Sequence, residues 1–190
     1  MNAMIPPRQR VRWTGNKSAG RGPGFEGLIT LHESVGMLGA WDLACYCEQA
    51  GVSYHAITDG DEIVYTVPRS DRAWHLRNGN PWATGLCLTS PSRPYSRDEW
   101  LGPQVRKMQI AAWWLAVVCN DTRMDMAECS DQNIRDVLRG VRSAGGVINH
   151  ADYTRAARDG THDDIRNFPT DVCVGWARDY ARSQGWPTEY

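Results

Sequence analysis

The run Gly27-Leu28-Ile29-Thr30-Leu31-His32 decides how this chain is read. It is a short apolar stretch, rich in β-branched residues and closed by a polar one, which is the mark of a strand inside a sheet. A second run of this kind, Val147-Ile148-Asn149, follows Gly145-Gly146 and ends at His150. Between the two, residues 38–50 read as a helix that Gly51 terminates. Val52 to Thr58 and Glu62 to Val67 are short strands joined by the hairpin turn Asp59-Gly60-Asp61. Residues 70–82 read as a loop, and Thr84 to Thr89 as another strand. Ser96-Arg97-Asp98-Glu99 is a capping box. It precedes a helix from Gln104 to Cys119 that is apolar nearly all round and so should be deeply packed. Ser130 caps a shorter helix to Arg139, residues 151–169 read as a loop, and Pro169-Thr170-Asp171 opens a last helix to Ser183. The pattern predicts an α/β fold, a mixed central β-sheet flanked by helices.

The 190 residues fit one compact domain. Residues 1–24 hold Arg8, Arg10, Arg12, Lys17 and Arg21 among Pro and Gly, and are expected to form a flexible basic N-terminal arm. Residues 25–190 form the folded domain. A formal net charge of −1 supplies no global field for nucleic acid or an anionic membrane, so neither is expected as a partner. No long apolar run marks a signal peptide or a membrane-spanning helix, which points to a protein made in the cytoplasm. The six cysteines are scattered without a CxxC pair, and Cys45 and Cys47 point to different sides of one helix. They are expected to be reduced and mostly buried.

All five histidines, His32, His55, His75, His150 and His162, fall at strand ends or in loops. Sheets place working groups there because the strand is rigid and the loop leaves them open. A lone histidine is more often structural than a ligand. Two that each finish an apolar strand, His32 and His150, suggest an imidazole site for Zn²⁺, although spacing alone does not establish one. The zinc-peptidase helix motif HExxH does not occur.

Several segments sharpen this reading. LITLHES (28–34) resembles the first strand of the type-2 N-acetylmuramoyl-L-alanine amidases, a family that includes phage endolysins and shares its fold with the peptidoglycan recognition proteins. VSYHAITDGDEIVYTV (52–67) resembles the family's hairpin. DRAWH (71–75), TGLCLTS (84–90), VINHADY (147–153) and THDDIRNFP (161–169) are similar to further family segments, in the same order. Each is modest alone; their fixed order makes the combination specific.

The resemblance implies a zinc amidase catalytic domain over residues 25–190, with His32, His150 and Asp163 as metal ligands. Asp159 and His162 compete for the third place, because the loop after His150 is slightly longer than the family's. The resemblance also implies that Tyr54 stands near the metal and that Thr161 stabilises the oxyanion. His75, Trp74 and His55 are assigned to substrate contact or to support of the ligands, His55 more as a satisfied buried imidazole. Trp74 and Trp82 have faces on which sugar or peptide could stack; burial under a loop is the commoner fate. Cys87 replaces the catalytic glutamate of the cytoplasmic recycling branch, and a thiol is no carboxylate base unless its pKa falls. Glu33, beside His32, should point to the opposite face of the strand and be solvated or structural.

The activity implied is hydrolysis of the lactyl–L-alanine amide of bacterial peptidoglycan, with peptidoglycan as partner. The lack of an export signal and the Tyr54 and Cys87 pattern suggest an endolysin acting on the cell wall after release through a holin-type pore. A peptidoglycan-binding module without activity and a zinc peptidase cutting within the stem peptide are the alternatives.

Overall fold

A computed structural model of the chain describes residues 6–20, 27–36, 39–91, 93–160, 164–165 and 167–190. The strands are β1 (Arg8–Val11), β2 (Lys17–Ser18), β3 (Leu28–Val35), β4 (Ala56–Thr58), β5 (Glu62–Tyr65), β6 (Arg72–Ala73), β7 (Ala83–Ser90) and β8 (Gly146–Asn149). The α-helices are α1 (Ala40–Ala50), α2 (Arg97–Leu101), α3 (Val105–Thr122), α4 (Asp131–Leu138), α5 (His150–Ala157) and α6 (Thr170–Ser183). Six strands make the main sheet in the order β1-β5-β4-β7-β3-β8. It is mixed, as expected: β4 and β5 form the antiparallel hairpin, and the other neighbours are parallel.

The two longest strands of the sheet, β3 and β7, lie side by side, in a register that pairs Leu28 with Ala83, Thr30 with Gly85 and His32 with Cys87. Strand alternation then sorts the side chains onto two faces. Ile29, Leu31, Leu86 and Leu88 turn to one face and pack with Ala111, Leu115, Cys173 and Ala177 of α3 and α6 in the largest core cluster. The all-round apolar sequence of α3 is explained by this position, with Ile110, Ala111, Trp114 and Leu115 buried. On the other face, α1 covers Ile57, Val64 and Cys87, while α4 and α5 cover Leu28 and Ala83. His32 stands on that second face.

Two expectations are corrected. Residues 151–157, read as loop, form α5. Asn149 caps it, accepting from Asp152 N at 2.8 Å while Asp152 Oδ2 accepts from Asn149 N at 3.3 Å. His150, Tyr153 and Ala156, three apart, are its buried face, so His150 opens a helix as well as following a strand. Arg8–Val11, expected in a flexible arm, pairs parallel with β5 at the sheet edge. Arg8 and Arg10 bond the nearly buried Glu62, and the Arg10 guanidinium lies 3.7 Å over the Trp41 ring. The capping box of Ser96 forms as read, and Ser130 caps α4 as read, with Asn133 completing a box there. All six cysteines are free thiols, four of them buried.

Candidate metal centre

The end of β3, the first turn of α5 and residue 164 meet at the floor of a cleft of about 520 Å³. Its walls include Val52, Tyr54, Trp74, His75 and Arg77. His32, 1 % exposed, points into it from β3, where it is paired with Cys87 of β7. Its Nδ1 lies 3.3 Å from Asp164 Oδ2. His150 Nδ1 lies 2.9 Å from Asp164 Oδ1. The two imidazole rings are 4.8 Å apart, and one donor atom from each of His32, His150 and Asp164 falls within 4.8 Å of the other two. Burial alone would raise the pKa of Asp164; the imidazoles of His150 and His32 outweigh it and hold the carboxyl below the usual carboxylate range. Asp164 is therefore an anion held between the two imidazoles.

These residues fit a metal ion. Two imidazoles and one carboxylate are a donor set of catalytic zinc sites that keep a coordination place open. The buried Asp164 Oδ1 reaches His150 Nδ1 at 2.9 Å but without hydrogen-bond alignment. Ring nitrogens of two histidines and the two oxygens of one carboxylate turned toward one point are the arrangement that ligands of a common ion present.

The carboxylate here is Asp164, one residue beyond the expected Asp163. Asp163, Thr161 and His162 lie outside the described residues. Asp159, the other contender, stands apart from the cluster, with Tyr153 donating to it at 3.4 Å and the Arg77 guanidinium in an ion pair with it at 3.9 Å. Spacing to Phe168-Pro169 pointed to Asp163; the Asp163-Asp164 pair in the sequence left a one-residue shift open.

Tyr54 sits beside the cluster, its ring 5.0 Å from that of His32. Its hydroxyl is buried against the Cys87 thiol, and burial pushes its pKa well above the ordinary tyrosine value, so it stays a neutral donor. Burial raises the Cys87 pKa in the same way, which keeps a thiol, not a thiolate base, at that position. Glu33 turns to the opposite face as expected, but it is buried rather than solvated: its Oε1 accepts from Tyr95 N at 3.0 Å. His55 has both ring nitrogens on backbone groups, Nδ1 accepting from Gly85 N at 3.0 Å and Nε2 lying 3.2 Å from the Asp71 carbonyl. Trp74 is 38 % exposed at the cleft wall, its Nε1 donating to Ser18 Oγ at 3.0 Å. Trp82 packs partly buried against the cluster under α4 and α5. Sequence reasoning missed Asp164 and the contact of His75 Nδ1 with His32 Nε2 at 2.9 Å.

Among known proteins, a family model described as N-acetylmuramoyl-L-alanine amidase matches residues 27–166. No curated protein sequence matches significantly. The fold is that of the Staphylococcus aureus hydrolase AmiA, solved with its ligand, at TM-score 0.72 and 18 % identity over 98 % of this chain and 89 % of that one. It is also similar to a mutant endolysin from Bacillus subtilis, at TM-score 0.58 and 15 % identity over 92 % of this chain and 99 % of that one. At such identities these likenesses speak to the fold alone. The family match is of another kind, since it runs through His32, His150 and Asp164 and covers most of the chain: this protein belongs to the N-acetylmuramoyl-L-alanine amidase family.

Proposed function

We propose that the chain is a zinc-dependent amidase that cleaves the bond between the lactyl group of the peptidoglycan sugar and the L-alanine of the stem peptide, in the role of a phage endolysin. The observation that carries the proposal is the convergence of His32, His150 and Asp164 at the floor of an open cleft. These three residues would hold Zn²⁺. An amide resists water at neutral pH; a zinc ion lowers the pKa of water to about 7 and polarises a carbonyl. The chain supplies the rest. The two imidazoles and one carboxylate leave room for water and substrate from the cleft side. Tyr54, kept protonated by burial, offers a hydrogen bond near the reacting carbonyl. Thr161 offers a second to the developing oxyanion, a role that rests on the family resemblance. Trp74 presents its exposed ring as a wall for sugar or peptide. Release to the wall is through a pore made by another protein.

The test pairs zinc content with mass analysis of digested cell walls. Free glycan together with intact stem peptide is expected. Shortened stems would show a peptidase, and zinc binding without release a wall-binding module. Asp164→Ala should lose the metal and at least about three orders of magnitude of activity, the scale of several kcal/mol of transition-state stabilisation. Asp163→Ala should keep the metal; the reverse outcome moves the ligand to Asp163.

A further inference from the structure

His32 has two ring nitrogens, and the structure gives each a neighbour. Nδ1 faces Asp164 at 3.3 Å, on the metal side. Nε2 lies 2.9 Å from Nδ1 of His75. A neutral imidazole carries one N–H and one lone pair. If the lone pair is to sit on Nδ1 and bind an ion, Nε2 must carry the proton and donate it. His75 Nδ1 must then accept, which puts the proton of His75 on its own Nε2. With an ion on His32 Nδ1, the contact sets the tautomer of both rings.

His75 is itself held. Asn80 Oδ1 accepts from the backbone N–H of His75 at 3.0 Å and of Leu76 at 2.5 Å, which clamps the loop that carries the ring. The ring stands edge-on to His32 with centroids 4.9 Å apart and an interplanar angle of 89°. On its other side is β7. A Cβ added at Gly85 would lie 2.7 to 2.9 Å from Cε1, Nδ1 and Nε2 of His75. Gly85 lies inside a strand and outside the left-handed region, so its backbone makes no demand for glycine. What a side chain lacks there is room. The Gly85 N–H and carbonyl are both fixed by His55, at 3.0 Å each, so the strand cannot easily back away from the ring.

We propose that His75 is a positioning residue for the metal ligand His32, acting by accepting the Nε2 proton, and that position 85 is glycine to admit its ring. The proposal rests on His32 being a metal ligand. It assigns His75 to the protein side of the site, not to the substrate. Partners that orient a ligating histidine are worth 10- to 100-fold in metal affinity.

Zinc affinity is measured by competition titration on the full chain. His75→Phe keeps an aromatic ring but cannot accept; zinc should bind about 10- to 100-fold more weakly. His75→Asn places an amide oxygen where Nδ1 stood and should recover most of that loss. Gly85→Ala, which displaces the ring, should weaken zinc binding in the same direction. A folding defect cannot explain a wild-type measurement: in nitrogen-15 spectra of the zinc-loaded protein, His32 and His75 should both carry their proton on Nε2. An Nδ1–H tautomer at His75 in the zinc-loaded protein, or wild-type zinc affinity in His75→Phe while His32→Ala loses zinc, overturns the proposal alone. If His32→Ala keeps full zinc affinity, the metal reading fails and takes the proposal with it.

Discussion

The two faces of the β3–β7 pair hold side chains of opposite kinds in one register. On the α3 and α6 face, Ile29, Leu31, Leu86 and Leu88 are fully buried among aliphatic and aromatic neighbours. On the other face the same two strands present Thr30, His32, Gly85 and Cys87. Large apolar groups fill the first face to the density of a protein interior. The second is built of small and polar groups that leave space for imidazole rings from elsewhere in the chain. One backbone, rigid through its hydrogen bonds, thus carries a stability face and a chemistry face, and the first keeps the second in position.

If that division is right, changes on one face should leave the other's property alone. The largest effect belongs to the apolar face: Leu86→Ala should cost about 2–5 kcal/mol in urea unfolding, the cost of removing a fully buried leucine side chain. Its zinc stoichiometry should stay that of wild type, and loss of zinc in the folded variant would break the separation. On the chemistry face, Tyr54→Phe should lower kcat about tenfold, the worth of one neutral hydrogen bond, and change stability by less than about 1 kcal/mol. A fall in stability with no fall in kcat would return Tyr54 to a packing role with Cys87.

The smallest effect lies away from both faces, at the start of α2. Arg93 hydrogen bonds, with help from Ser96, lower the pKa of Glu99 from about 4.5 to about 2. A carboxyl whose folded pKa is depressed stabilises above its unfolded pKa, and the contribution disappears as pH falls through the folded one. Glu99→Gln should therefore melt slightly below wild type at about pH 6, with the gap closing by about pH 2. Glu99 is solvent-exposed, so the gap should be small, and zinc content should not change.

The central strands and α3 were legible because each carries its own periodicity. LITLH and VINH read as strands, and the run around Trp113 and Trp114 as a buried helix, with no knowledge of what they touch. The capping box at Ser96 and the cap at Ser130 were legible because side chain and backbone partner lie within one turn. Eight-residue α5 was not: its buried positions include a histidine and a tyrosine, so no apolar stripe announces it. Arg8–Val11 was read as a tail from its charge, but its arginines find Glu62 and Trp41, residues far along the chain.

By itself the sequence determined that His32 lies in one apolar strand and His150 directly follows another in a mixed sheet, because alternation and β-branched content are local properties that survive any packing. That Asp164 joins them, among the described residues, was decided by the tertiary structure, as was the ring nitrogen His75 touches. His32 and Asp164 are 132 positions apart. Their meeting depends on how α5 and the residues after it settle on the sheet, and a displacement of one residue there changes which side chain faces the site without altering any local pattern.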